Sequence, residues 1–185
     1  MSAVKKKKGY IQSIEAIHSF LQKYPNINIH YNIVGSLTVD PPFVAELREL
    51  IHTKKMESIV TLHGSVSDAT LQNFYLSSDV FLLPSLQEGD YFEGFGLVFL
   101  EANLRGTPVI GPTSGGCPEA ISDGVSGYVV NPLDTPSIVN ALEKTLIQQN
   151  ISTAHCKKWA MQHDIQASAA LLETYYNEIV TGERL

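Results

Sequence analysis

Between residues 93 and 119 the chain reads EGFGLVFLEANLRGTPVIGPTSGGCPE, a run in which carboxylates and bare backbone lie close together. Gly94, Phe95, Gly96 and Leu97 fall where an apolar strand gives way to a helix. The first turn of a helix carries N–H groups without intrahelical partners. With the aligned peptide dipoles they form an anion site, and glycine lets a phosphate approach without meeting a Cβ atom. Glu101 sits inside the helix, roughly 7 Å along its axis from the start. Set back that far, its carboxylate can accept two hydrogen bonds from a vicinal diol such as that of ribose, and bonds to an ionised acceptor are the stronger kind. Glu93 lies ahead of the helix, where a group carried beyond the phosphates would sit. A nucleoside diphosphate sugar has hydroxyls at both ends and fits this layout.

A second turn, TSGGCPE, repeats the pattern. Gly115 and Gly116 precede a short helical segment holding Glu119, with Pro118 at an early helical position where its missing N–H costs nothing. Each feature alone has a plainer use, as a tight turn or a solvated helix glutamate. Two such turns after neighbouring apolar strands, with three glutamates placed around them, favour a ligand site.

The elements that must position these residues follow from hydrophobic spacing. Ile11, Ile14, Ile17, Phe20 and Leu21 recur at helical intervals. Residues 27–34, INIHYNIV, read as a strand closed by Gly35. Residues 41–53 read as a helix with Val44, Leu47 and Ile51 on one face. Residues 58–64 are a second strand, and Asp68 opens a helix carrying Leu71, Phe74 and Tyr75. DVFLLPS at 79–85 is an apolar strand, and a helix near 96–105 is stopped by Gly106. TPVIG at 107–111 and SGYVV at 126–130 are the last strands, and two or three helices finish the chain. Runs such as VFLL and PVI are apolar throughout, as strands covered on both faces are, so the fold class is α/β with a doubly wound parallel sheet. Ligands of such sheets bind at the carboxyl ends of the strands. The two glycine-rich turns fall there.

Composition sets the outer bounds. A chain of 185 residues, 44% hydrophobic and 17% charged, can bury one sizeable core. Its net charge of -6 argues against a dedicated nucleic-acid binder. Cys117 and Cys156 form neither a disulfide framework nor a zinc pattern, which suits a reducing, cytoplasmic setting. No apolar run approaches the ~20 residues a membrane-spanning helix needs. The start, MSAVKKKKGYIQ, has a basic stretch without an apolar core behind it and is not a secretory signal. The six histidines are scattered without ligand spacing, so neither a metal nor another cofactor is expected.

The spacing E-x7-E in EGFGLVFLE, followed by GTPVI and G-G-x-x-E, resembles the group 1 retaining glycosyltransferases of the GT-B fold. The likeness extends through KGY at 8–10, IVG at 33–35, HGSVSD at 63–68, SSDVFLLPS at 77–85, SDGVSGYVV at 122–130 and a late Tyr176. It implies the C-terminal, donor-binding half of such an enzyme, with a Rossmann-like sheet. It further implies that Glu93 faces the donor sugar hydroxyls, that Glu101 binds the ribose diol, and that the backbone of Gly94, Phe95, Gly96, Leu97 and Val98 donates to the sugar and distal phosphate. By the same resemblance Lys8 neutralises the departing diphosphate, and Gly64 to Val66 lie beside the base.

Two departures from the family stand out. The arginine that precedes the K-G lysine, at the end of the domain's first strand, has no counterpart. Ala3, Val4 and further lysines stand upstream of Lys8, without room for that strand. The resemblance therefore implies one nucleotide-sugar-binding domain over 1–185, lacking its first strand, with 152–183 a C-terminal helical extension and the acceptor-binding N-terminal domain absent. The QEGDYFEGFG insertion is longer than the family's commonest spacing and resembles that of lipid-linked and cell-envelope mannosyltransferases, which bears on the acceptor, and peripheral membrane association is a further expectation for the whole enzyme. Alternatives are a non-catalytic nucleotide-binding or regulatory module and, ranked below it, a sugar-phosphate epimerase.

Overall fold

The computed structural model describes residues 3–87 and 94–181. Within them helices and parallel strands alternate: α1 (Tyr10–Lys23), β1 (Tyr31–Val34), α2 (Pro41–Thr53), β2 (Val60–Gly64), α3 (Asp68–Ser77), β3 (Phe81–Leu82), α4 (Leu97–Arg105), β4 (Val109–Pro112), β5 (Gly127–Val130), α5 (Thr135–Leu142), α6 (Thr153–Met161) and α7 (Ile165–Thr181). Helix starts have local causes. Asp40 Oδ1 accepts the Phe43 N–H at 3.3 Å ahead of Pro41, and Ser67 Oγ accepts the Thr70 N–H at 3.2 Å ahead of α3. Gly106, at φ 92°, ends α4 in the left-handed conformation that a side chain resists.

All described strand pairs are parallel, but they fall into two sheets, β1–β2 and β3–β4–β5. β1 and β3 are thus free edges, and the cleft between them is lined by Tyr31, Asn32, Val34, Val80, Phe81 and Leu82. The strands are also shorter than the apolar runs suggest. Residues 27–30 do not pair, because the chain opposite turns back at Met56–Val60, where the Ile59 and Val60 N–H groups bond to the Met56 carbonyl. β3 pairs along one edge only, through Phe81 N–H to Pro108 O and Leu83 N–H to Ile110 O, and Pro84 then removes a donor.

The core is continuous across both sheets. Ile14 and Phe20 of α1, Ile33 of β1, Leu47 of α2, Phe99 of α4, Ile110 of β4 and Ile138 of α5 are all at most 1% exposed. Each such side chain contributes about 1.5–3 kcal/mol relative to exposure. The buried Asn103 of α4 donates from Nδ2 to the Thr107 and Ser126 carbonyls at 3.0 and 2.9 Å, tying the end of that helix to the entry of β5. Thr107 Oγ1 in turn donates to the Tyr75 carbonyl. This buried chain of hydrogen bonds fixes α3 against α4.

Candidate functional site

The glycine-rich turn ahead of α4 has the backbone that an anion site needs. Gly96 is the residue that caps α4, at φ 79° and ψ 50°, and, being glycine, it supplies no side-chain cap to the first N–H groups of the helix. A Cβ on Gly96 would lie 2.7 Å from the Phe99 ring and 3.3 Å from Cys117 Sγ, so both conformation and space demand glycine. Gly94 is different, since a Cβ there meets nothing within 4 Å.

The second glycine turn packs onto the first. A Cβ on Gly116 would lie 1.8 Å from the Gly94 carbonyl oxygen and 3.4 Å from the Phe95 Cα. The short helical turn Cys117–Ala120 follows, with Pro118 at its start and Glu119 exposed. Phe95 turns away to the C-terminal helices, its ring 6.0 Å from that of His163, which meets the Trp159 ring edge-on at 4.6 Å. Trp159 Nε1 donates to the Ala120 carbonyl at 2.9 Å, so α6 braces both turns. Leu97 is exposed, and Val98 lines the cleft between β1 and β3.

Glu101 is exposed on α4, and its Oε2 accepts a hydrogen bond from Tyr75 Oη at 3.2 Å. Tyr75 is buried, and desolvation, with the neighbouring Glu101 charge, holds its phenol above the ordinary tyrosine range. It therefore stays a donor, and one carboxylate oxygen is anchored while the other side of the group faces solvent. Glu93 lies outside the described residues.

Lys8 is buried in a 3-10 turn, Lys6–Lys8, closed by Gly9 at φ 74°. The Leu86 N–H donates to the Lys7 carbonyl at 2.8 Å, and a Cβ on Gly9 would lie 2.0 Å from the Pro84 carbonyl oxygen. The lysine segment is thus clamped to the carboxyl end of β3. The Ser85 hydroxyl there is 2% exposed and has no hydrogen-bond partner among the described residues. An open cavity of about 230 Å³ adjoins, bordered by Leu86, Gln87, Thr113, Ser114, Asn131 and Leu133. Gly64, at φ 71°, closes β2 and accepts the Gly35 N–H, with the half-buried Val66 just beyond it.

Every described candidate therefore lies at the carboxyl ends of the strands or in the helix turns that follow them. The structure unites Lys8 with the end of β3 and brings the two glycine turns together. Gly64 and Val66 stand at the end of the other sheet. Tyr75 and Ser85 were not singled out from sequence. Tyr75 reads there as one more apolar-face residue, and only the serine next to proline in LLPS marks the other.

Residues 1–163 match the family model described as glycosyl transferases group 1. The chain belongs to the group 1 glycosyl transferases. Among relatives of this family, a D-inositol 3-phosphate glycosyltransferase of an Arthrobacter strain is 34% identical over 128 residues, 69% of this chain and 29% of that protein. A GDP-mannose-dependent alpha-(1-6)-phosphatidylinositol monomannoside mannosyltransferase of Mycobacterium tuberculosis is 34% identical over 61% of this chain and 30% of its own length.

Solved group 1 and related glycosyltransferase structures share the fold. Anabaena Alr3699/HepE, in complex with UDP and glucose, superposes with a TM-score of 0.76 at 22% identity over 96% of this chain and 47% of that one. The C-terminal domain of a group 1 glycosyl transferase (LpcC) from Francisella tularensis gives 0.66 at 28% identity, over 95% and 83% of the two chains. The present chain spans about 30% of the length of those two curated relatives, and about half of HepE. Among the described residues no cluster of three His, Cys, Asp or Glu side chains could hold a metal, and no helix is long and apolar enough to cross a membrane.

Proposed function

We propose that this chain is the donor-binding part of a retaining hexosyltransferase, which moves a sugar from a nucleoside diphosphate to an acceptor hydroxyl on a glycan or glycolipid. The observation that carries this reading is the end of α4. It presents first-turn N–H groups to which its N-cap residue, a left-handed Gly96, offers no side chain, with Glu101 anchored by Tyr75 further along the same helix. The diphosphate sits against the amides of Gly94 to Val98. The ribose diol bonds to Glu101. The base lies toward Gly64 and Val66, and Glu93 orients the sugar.

The barrier to transfer includes negative charge developing on the departing diphosphate. A positive end of a helix and a lysine at the same strand edge meet that charge where it forms, without reorganisation. Lys8 fills this role, held by the clamp between Lys7–Gly9 and Pro84–Leu86. Holding the sugar in one orientation is a positioning contribution. Departure of the diphosphate rests on these groups without a metal. Turnover of an enzyme completed with the acceptor-binding half therefore persists in EDTA; loss in EDTA with recovery in magnesium or manganese would contradict this.

The relative named as GDP-mannose-dependent, and the HepE complex with UDP and glucose, support a nucleotide-sugar donor. Calorimetry of this chain with UDP, GDP and ADP tests the reading. One nucleoside diphosphate binds, and Glu101→Ala weakens it by about 1–3 kcal/mol. Unchanged affinity in that variant would remove the diol role.

A further inference from the structure

Resting on the donor-site reading above, we infer that Trp159 and His163, at the end of α6, are positioning residues for the diphosphate: they hold the two glycine turns in the shape that presents the α4 amides. The need for such a hold is visible in the first turn. In Gly94–Phe95–Gly96 the one side chain belongs to Phe95. Gly94 is open, since a Cβ there meets nothing within 4 Å, and Gly96 takes a left-handed φ of 79°. Glycines on both sides leave the free backbone many conformations. Successive amides face one anion only if a single conformation is selected, and Phe95 is the side chain that can select it. Its half-buried ring lies 6.0 Å from that of His163, tilted by 46°, within the range of aromatic pairs.

His163 is itself fixed. Its backbone N–H donates to the Ala160 carbonyl at 3.0 Å, and its Nδ1–H donates to the Trp159 carbonyl at 3.1 Å. Its ring meets the Trp159 indole edge-on at 4.6 Å. The indole reaches the second turn, where Nε1 donates to the Ala120 carbonyl at 2.9 Å. Ala120 ends the short helical turn that Gly116 begins. Gly116 in turn presses on Gly94, because a Cβ on it would lie 1.8 Å from the Gly94 carbonyl oxygen. The contacts thus close into a ring: Phe95, His163, Trp159, Ala120, Gly116 and Gly94. An aliphatic side chain in place of Trp159 or His163 would cover the same surface, but it would neither bond the Ala120 carbonyl nor offer a ring to Phe95.

α6 is seated firmly enough to serve as the anchor. Cys156 is 0% exposed and its thiol lies 3.7 Å from the Ser126 carbonyl oxygen. A Cβ on Gly106, which ends α4, would lie 2.3 Å from the Thr153 methyl carbon that starts α6. α6 therefore begins beside the carboxyl end of α4 and finishes beside its amino end, where the diphosphate is placed. Rigid support of this kind lowers the ordering cost that a ligand would otherwise meet on binding.

Calorimetry of the full chain tests this, using the nucleoside diphosphate that binds the natural sequence and its monophosphate as control. His163→Ala weakens the diphosphate about tenfold and the monophosphate less than about threefold. His163→Phe keeps a ring against Phe95 and stays within about threefold of the natural sequence. Hydrogen exchange separates a local effect from general destabilisation. The Phe99 amide, bonded to the Gly96 carbonyl at 2.9 Å, exchanges faster in His163→Ala. The Glu119 amide, bonded to the Gly116 carbonyl at 3.1 Å, exchanges faster in Trp159→Phe, which keeps a ring but loses the bond to Ala120. The Val109 amide of β4 keeps its rate in both. Full diphosphate affinity in His163→Ala, equal losses for mono- and diphosphate, no recovery in His163→Phe, or equally faster exchange at Val109 would each overturn the inference and leave the donor site standing. Failure of every nucleoside diphosphate to bind the natural sequence would instead overturn the donor site, and the inference with it.

Discussion

The hydrogen bond from Tyr75 to Glu101 fixes one carboxylate oxygen on the exposed face of α4. Tyr75→Phe removes that anchor while keeping the ring, so nucleoside diphosphate affinity falls by about 0.5–1.5 kcal/mol with little change in melting temperature. Calorimetry and a thermal melt on the same sample check this, and full affinity in the variant would show Glu101 needs no anchor. The glycines separate backbone need from empty space. Gly116→Ala sets a methyl group against the Gly94 carbonyl, so it lowers both stability and affinity, whereas Gly94→Ala meets nothing and leaves the melting temperature in place. Equal melts for the two would contradict the packing of one turn on the other.

Burial also sets a pH dependence at this scale. Tyr10 is pushed up to about 12 and Cys156 up to about 11, and Tyr31 and Tyr75 are raised too, with desolvation the leading cause for each. The unfolded chain ionises these groups near their ordinary values, about 9 for the thiol and 10 for the phenols, while the folded chain keeps their protons. Their contribution is whole below those values and is lost as pH rises through the folded ones. Denaturation midpoints therefore begin to fall above pH 9 and drop more steeply above pH 10, and a midpoint constant to pH 11 would contradict it.

For the elements, the start of α4 carries two opposed demands. Leu97 is the first helical residue, 64% exposed. Leu97→Asp places a negative charge on the positive helix end and raises stability by about 0.3–1 kcal/mol. The same charge repels a diphosphate, so nucleotide affinity drops as the melting temperature rises. Both moving together would mean no anion sits there. The bounds of α2 and α4 were legible in sequence because capping is local: Asp40 with Pro41, and Gly106, act within a few residues. Strand lengths were not, because a strand extends only as far as its partner. β1 stops where the chain opposite turns at Met56–Val60. The Phe95–His163 contact and the Tyr75 anchor were equally hidden, since each joins residues from different elements that only packing brings together.

On the scale of the molecule, the order of apolar strands and helices was enough to announce a parallel α/β fold, and the glycine turns enough to mark its carboxyl edge. The resemblance implies a missing first strand, but hydrophobic spacing alone does not place the break between β1 and β3, because it depends on what lies beside each strand. The whole account rests on a diphosphate held at the open end of α4 with its ribose on Glu101. The most direct measurement is calorimetric titration of this chain with matched pairs, each nucleoside diphosphate against its 2′,3′-dideoxy form, in the natural sequence and in Glu101→Ala. The account predicts that one ribonucleotide binds, that loss of its diol weakens it by about 1–3 kcal/mol, and that Glu101→Ala erases the difference between the pair. Equal binding of diol and dideoxy forms to the natural sequence, or an undiminished difference in the variant, would contradict it.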